Sequence, residues 1–252
     1  MKIIGVIPAR YQSSRFPGKP LADIMGKSMI RRVYEQAKKS KELSAVVIAT
    51  DDERIMEHVL QFTDNVMMTS VNHNNGTERV MEVVDTLSNK NENYDIVVNI
   101  QGDEPLISPN AIDEVISILT ENANADIATL INQSEISDID DVNNVKVVID
   151  NKGKALYFSR SPIPYYRSTG MRKTYNKHIG IYAFKIDVLK NIVLLEKTPL
   201  EIAESLEQLR WIENGYAVYV KYTDYKSIGV DVPEDIKKIT KLLRDVDEKS
   251  LI

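Results

Sequence analysis

Along the first half of the chain, apolar residues come in two alternating kinds of run. Short continuous runs at 2–7 (closed by Pro8), 45–49, 96–100 and 127–131 read as buried strands, with a briefer run at 66–68. Between them, apolar positions recur at helical spacing. Ser28 precedes Met29, Ile30, Val33, Tyr34 and Ala37, an N-cap followed by an amphipathic helix. The stretch 53–62 carries Ile55, Val59, Leu60 and Phe62, and 77–87 carries Val80, Val83, Val84 and Leu87. Ser108-Pro109 opens a further helix with Ile112, Val115, Ile116 and Leu119 on its core face, Pro suiting the first turn. Strand–helix alternation of this kind predicts an α/β fold: a mostly parallel sheet with helices on both faces.

The second half is patterned differently. Strands are expected at 145–149, 155–159, 179–184 and 217–222, one long helix over 199–214 closed by Gly215, and a terminal amphipathic helix over 233–246. There is no internal repeat, low-complexity tract or linker, so a single domain over 1–252 with an elaborated C-terminal part is expected.

Composition narrows the chemistry. Hydrophobic residues make up 43% and charged residues 27% of the 252, ordinary for a folded domain. Lys plus Arg number 32 against 37 Asp plus Glu, a net charge of −5 that disfavours a general nucleic-acid or anionic-membrane binder. The absence of cysteine excludes disulfides, a zinc–thiolate site and a cysteine nucleophile. No apolar run approaches the ~20 residues that span a bilayer, and the N-terminus lacks a signal-peptide pattern. A cytoplasmic protein is the expectation.

The chemically unusual residues gather just past the strand ends, where ligands bind in open α/β sheets. The first such loop, Pro8 to Pro20, holds Arg10, Arg15 and Lys19 with no acidic residue, a local inversion of the overall charge. Arginine forks, a lysine point charge and backbone N–H groups in such a loop suit a polyphosphate, against the blander reading of a solvated charged loop. Gly76-Thr77 opens a helix after the third run. After 96–100 come Gln101, Gly102 and Asp103; an Asp leaving a sheet there is a candidate Mg²⁺ ligand or an ordinary turn Asp. Asp231 offers a partner carboxylate, or is a helix-start acid. Other motifs fail: Gly26-Lys27-Ser28 lacks the earlier Gly of a Walker A loop, no G-x-G-x-x-G is present, and the three histidines are too scattered for zinc. Asp138-Ile139-Asp140 matches D-x-D but does not follow a strong strand.

With these residues assembled, the chain resembles the 3-deoxy-manno-octulosonate (Kdo) cytidylyltransferases, the CMP-Kdo synthetases. The resemblance runs over roughly residues 3–240, in the blocks IPARYQSSRFPGKPL (7–21), ATDDERI (49–55), GTERV (76–80), NIQGDEPLI (99–107), ALYFSRSPIPY (155–165), KHIGIYAF (177–184), ESLEQLR (204–210) and GVDVPEDI (229–236). It implies a Rossmann-like fold of the nucleotide-diphospho-sugar transferase type and transfer of CMP from CTP to the anomeric hydroxyl of a 3-deoxy sugar acid, with release of pyrophosphate. It also implies Mg²⁺, a homodimer, and a place in lipopolysaccharide or capsule synthesis. By resemblance, residues 1–132 mainly bind CTP and 133–252 mainly the sugar and the dimer partner. Arg10, Ser14, Arg15 and Lys19 would hold the triphosphate, Gly76 and Thr77 would lie against cytosine and ribose, and Asp103 and Asp231 would hold the metal. Arg10, Lys19, Asp103 and Asp231 would form the catalytic set. Gln101, Arg160, His178, Tyr182, Glu207 and Gln208 would form the sugar-acid pocket, with Arg160 clamping the carboxylate and His178 orienting a hydroxyl.

Three departures stand out. Asn75 and Glu78 replace a usual Ser and Asp. Asp231-Val232-Pro233 replaces Asp-Thr-Pro, which removes a hydroxyl cap at an expected cost of ~1 kcal/mol. The stretch 166–176 is unlike the family. Competing readings are a cytidylyltransferase for an 8-amino-Kdo or sialic-type acid, a nucleotide-sugar glycosyltransferase, and a non-catalytic nucleotide-binding module.

Overall fold

The computed structural model describes residues 1–134, 139–168 and 173–249; Asp138 of the D-x-D match and positions 169–172 of the unfamiliar stretch lie outside them. In chain order the elements are β1 (Ile3–Ala9), a 3₁₀ turn (Lys19–Leu21), β2 (Asp23–Ile24), β3 (Lys27–Ser28), α1 (Met29–Ala37), β4 (Ala45–Thr50), α2 (Glu53–Leu60), β5 (Val66–Met68), α3 (Gly76–Ser88), β6 (Ile96–Asn99) and α4 (Pro109–Glu121). There follow β7 (Ile127–Ser134), β8 (Lys146–Ile149), β9 (Ala155–Ser159), β10 (Tyr175–Lys185), α5 (Ile186–Ile192), α6 (Pro199–Glu204), α7 (Glu207–Glu213), β11 (Val218–Tyr222) and α8 (Asp235–Lys249). The fold is α/β, and its elements form two compact units: Met1–Ile112 with the chain from Ser227 onward, and Asp113–Lys226.

In the first unit the strands run in the order β6-β1-β4-β5, all parallel. The central strand β1 is buried over nearly its whole length, the mark of a parallel sheet covered on both faces. Helices α1 and α3 pack against β1 and β4. Each of the first three helices starts on a side-chain cap: Ser28 Oγ accepts from Arg31 N at 3.4 Å, Asp52 from Arg54 N at 3.0 Å, and Asn75 from Glu78 N at 2.8 Å. A separate apolar cluster of Ile24, Met29, Val230 and Ile239, with Phe16, Ile228 and Ile236 against it, seats α8 on the hairpin β2–β3. Leaving β6, the chain runs so close to β1 that a Cβ on Gly102 would stand 2.5 Å from the Pro8 carbonyl oxygen.

In the second unit β7 pairs parallel with β11 and antiparallel with β10, while β8 lies antiparallel to both β10 and β9. Strand β10 bulges between Ile179 and Tyr182. The Thr129 hydroxyl fills the bulge, 2.7 Å from the Ile181 carbonyl, 3.0 Å from that of Ile179 and 2.9 Å from His178 Nε2. Its single proton goes to a carbonyl, so it accepts from the imidazole, which assigns the His178 proton to Nε2. The ring is wedged between Phe158 and Tyr182, and Trp211 meets Tyr182 and Phe184 edge-on. Burial depresses His178 from 6.5 to about 3, so it stays neutral.

Several expected boundaries move. The expected helix over 199–214 is two helices, α6 and α7, broken at Ser205, whose φ of 52° is left-handed. The terminal helix starts at Asp235 rather than 233. The Asp235 carboxylate takes the N–H groups of Asp231 and Val232 at 3.0 and 3.1 Å, so Val232 is not at a cap position and the hydroxyl loss expected there has no cap to remove. Helix α2 stops at Leu60, not 62, and α5 and the β2–β3 hairpin, too short to show a period, were not expected.

Two expectations follow. Gly102→Ala should lower stability by about 1–3 kcal/mol, because the Pro8 carbonyl it would meet is backbone and cannot rotate away; urea unfolding measures it. The unfolded chain takes a proton on residue 178 near 6.5 while the folded one refuses it until about 3. Stability from this site is therefore present at pH 7 and lost as the pH falls. The drop in urea midpoint between pH 7 and pH 5 should be smaller in His178→Gln than in the parent.

Candidate active site

The loops after β1 and β6 and the start of α3 enclose a cavity of about 270 Å³ in the first unit, lined by Pro8, Arg10, Gln12, Ser13, Lys19, Asn75, Gly76, Gln101 and Asp103 among others. Glycine permits two of these approaches. Gly102 allows the β6 loop to cross Pro8, as described. Gly18, at φ 72°, turns the chain into the 3₁₀ segment that carries Lys19, and its N–H donates to the Tyr11 carbonyl at 2.8 Å.

Lys19 is the hub. Its Nζ donates to Asp103 Oδ2 at 2.7 Å and to the Val230 carbonyl at 2.9 Å, and Val230 N donates to the Asp103 carbonyl at 2.9 Å. The two acid-bearing loops are thus laced together beside the cavity. Farther out, Arg15 Nη2 meets Asp231 Oδ1 at 2.9 Å, both side chains more than half exposed. The neighbours of this pair, Phe16 and Val230, sit in the same apolar cluster, which fixes where the charges emerge.

Arg10 donates Nη2 to the carbonyls of His73 and Asn75 and so ties the first loop to the start of α3. The Glu78 that departs from the family pattern turns back on this segment: its carboxylate accepts from Asn74 N at 2.9 Å and from Asn75 Nδ2 at 3.3 Å. A longer acid here braces the loop that precedes Gly76. His73 in turn reaches Glu82 through Nε2. Burial would raise Glu82, but the Ser70 N–H and His73 hold its carboxyl below the usual range. In α3, the helix whose start lines the cavity, Arg79 is fully buried, pairing with Asp51 Oδ2 at 2.6 Å and donating to Thr69 Oγ1. Burial lowers its pKa and Asp51 opposes the shift.

Of the residues expected to serve the nucleotide and its metal, Arg10, Lys19, Gly76 and Asp103 line this one cavity, and Gln101, expected in the sugar-acid pocket, lines it with them. Ser14 is exposed and Ser13 lines the cavity in its place; Thr77 is buried in the first turn of α3. The loop after β4 contributes support: Arg54, bound to Asp52 at 2.6 Å, lies 3.3 Å over the Tyr11 ring. Ser13, Asn75 and Arg79 were missed. An N-cap pattern at Asn75-x-x-Glu78 was available as a signal, but nothing local marks Arg79 as buried.

A metal would find hard oxygen donors here. Among the described residues neither Asp103 Oδ1 nor Asp231 Oδ2 accepts a hydrogen bond, and no group of three or more acids or histidines could hold an ion alone. That donor set fits Mg²⁺, which takes one or two carboxylates and completes its shell from phosphates and water.

The expected sugar-acid residues of the second unit are partly brought together. His178 and Tyr182 are in ring contact, and Tyr182 meets Trp211 edge-on in α7, the helix that also carries Glu207 and Gln208. Tyr182 Oη is buried without a hydrogen-bond partner, and burial, with Glu207 nearby, raises its pKa. Glu207 pairs with Arg210 at 2.7 Å; Gln208 is buried. The Arg160 guanidinium donates to three main-chain carbonyls, those of Glu204, Val142 and Ser205.

Comparison with known proteins places this geometry in a family. The cytidylyltransferase family model matches residues 4–236. A 3-deoxy-manno-octulosonate cytidylyltransferase of Parabacteroides distasonis is 48% identical over 94% of this chain and 96% of its own, and the mitochondrial one of Arabidopsis thaliana is 46% identical over 97% and 84%. The solved CMP:2-keto-3-deoxy-manno-octonic acid synthetase in complex with CTP superposes with a TM-score of 0.92 at 40% identity, covering 97% of this chain and 99% of that one. A glucose-1-phosphate thymidylyltransferase described as putative, from Bacillus anthracis, shares the fold alone, at 16% identity and a TM-score of 0.68 over 96% of both chains. The motif blocks, the cation-lined cavity and these full-length likenesses agree: the chain belongs to the 3-deoxy-manno-octulosonate cytidylyltransferase family.

Proposed function

We propose that this chain transfers CMP from CTP to the anomeric hydroxyl of Kdo, releasing pyrophosphate. The observation that carries the reading is the Lys19-centred cavity, in a chain whose full-length relatives bear that activity in their names. The sugar oxygen attacks the α-phosphorus, the bond to the bridging β-oxygen breaks, and pyrophosphate leaves.

The chain's own residues address the charge problem of bringing an anionic acid to an anionic triphosphate. Lys19 spends two of its three N–H donors on Asp103 and Val230, leaving one for a phosphate oxygen. Arg10, held by two carbonyls, keeps further donors for the same anion, and Arg15 stands at the rim. Together they favour the negative charge that grows on the leaving pyrophosphate. Asp103 and Asp231 are the residues that would hold Mg²⁺, which when bound neutralises phosphate charge and aligns the reacting groups.

In the second unit, Arg160 has five N–H donors and uses three, so one on each Nη remains for the sugar carboxylate as a fork. His178, neutral and protonated on Nε2, offers Nδ1 as an acceptor for a sugar hydroxyl. Among the described residues no helix is long and apolar enough to cross a membrane. A homodimer working in the cytoplasm, supplying lipopolysaccharide or capsule synthesis, completes the reading.

Product analysis by mass spectrometry should show CMP-Kdo and pyrophosphate from CTP, Kdo and Mg²⁺. Turnover of an 8-amino or nine-carbon acid with Kdo inert overturns the substrate assignment. Lys19→Met should lower kcat by roughly 10²–10³-fold, and Asp103→Asn by at least as much, with the circular dichroism spectrum unchanged. Undiminished turnover in Asp103→Asn at saturating Mg²⁺ removes the metal assignment. Chelation should abolish activity and added Mg²⁺ restore it.

A further inference from the structure

Lys146 is the one lysine among the described buried residues, with no exposed surface, at the start of β8, where it is paired with Lys177 of β10 on one side and Ser159 of β9 on the other. Its ammonium is fully used. Nζ donates to the carbonyls of Arg160 at 2.6 Å, Asn144 at 2.7 Å and Asp141 at 3.1 Å, which exhausts its three donors. A buried ammonium is costly unless every proton is bonded, so the site is tightly specified.

The target of these bonds is informative. Two of the three carbonyls flank Val142, whose own carbonyl accepts from Arg160 Nη1 at 2.9 Å; the third is the carbonyl of Arg160 itself. Glu204 closes the arrangement from the other side. Its Oε2 accepts Arg160 N at 2.9 Å, its Oε1 accepts the Ser159 hydroxyl at 2.6 Å, and its own carbonyl accepts Arg160 Nε at 2.7 Å. The left-handed turn at Ser205 then aims one more carbonyl at Arg160 Nη2, 3.3 Å away. Main chain and guanidinium of Arg160 are both held, in a plane set by Lys146 and Glu204.

We infer that Lys146 and Glu204 are positioning residues that orient the Arg160 fork for the carboxylate of the acceptor sugar, and so set the enzyme's preference for an acid over a neutral sugar. The inference rests on the proposed role of Arg160 as the carboxylate clamp. A lysine that only filled space would be replaceable by Met without changing which end group the enzyme selects. A lysine that fixes the clamp would not.

The test compares Kdo with its C1 carboxamide in steady-state assays at saturating CTP, on the parent, Lys146→Met and Glu204→Gln. The parent should prefer the acid in kcat/KM by at least about tenfold, as expected for a charge-assisted pair. In both variants that preference should collapse to within about threefold. KM for Kdo should rise while KM for CTP holds. Glu204→Gln keeps the volume and places an N–H₂ where an acceptor is needed, so it carries the test if Lys146→Met does not fold. Retention of the parent's acid preference in a folded variant that binds CTP normally overturns the positioning role. A parent that does not distinguish acid from amide overturns the clamp assignment of Arg160 instead, and the inference with it.

Discussion

The cavity beside the loop after β1 depends on one ammonium group. Lys19 reaches from the loop after the first strand to a carboxylate after β6 and to a main-chain carbonyl just before Asp231. Three stretches remote in sequence converge because a single cation bonds two of them from the third. The apolar cluster around Val230 and Phe16 does the coarse positioning, and the charged contacts refine it. Neither alone suffices: apolar packing is undirected, and the exposed Arg15–Asp231 pair has little worth of its own.

The same device recurs at other depths. Arg79 is buried and bonded to an acid and a hydroxyl, while Lys146 is buried and bonded only to carbonyls. Removing one partner from such a site leaves an unpaired polar group, so these positions tolerate less change than exposed charges do. Lys146 in addition bonds the segment that holds a second, more accessible cation, Arg160. Rigidity in the supporting residue is what lets the presented one meet a ligand without reorganising.

Much of the architecture was legible from periodicity. The parallel strands read as continuous apolar runs because both their faces are covered, and the first capped helix announced its start at Ser28. What escaped was decided by tertiary context. The break at Ser205 has no glycine or proline to signal it, and the contact its carbonyl makes with Arg160 is long-range in sequence. Lys146 reads as a surface charge, since local sequence carries no trace of the carbonyls from 141, 144 and 160 that satisfy it. The loop from Pro8 to Pro20 was visible as a charge inversion, yet which of its serines lines the cavity follows only from the folded path of the chain, and that is Ser13. Among the acids, Asp103 and Asp231 were legible as a pair, but their lysine and arginine partners follow only from the folded chain.

The first unit is discontinuous: Asp113–Lys226 is interposed between β6 and the segment that carries Val230 and α8. A ribosome therefore delivers the whole interposed unit before the residues that complete the Lys19 hub. Throughout that interval the ammonium of Lys19 lacks one carbonyl partner and the cluster around Phe16 lacks its lid, so nascent chains carry an open apolar face. Closing it brings together ends far apart in sequence, a slow, entropically demanding step. The Lys19 hub is completed late in synthesis, and a chain cut short ahead of residue 228 has Arg15 and Lys19 without the carboxylate of Asp231 and the carbonyl of Val230 that restrain them.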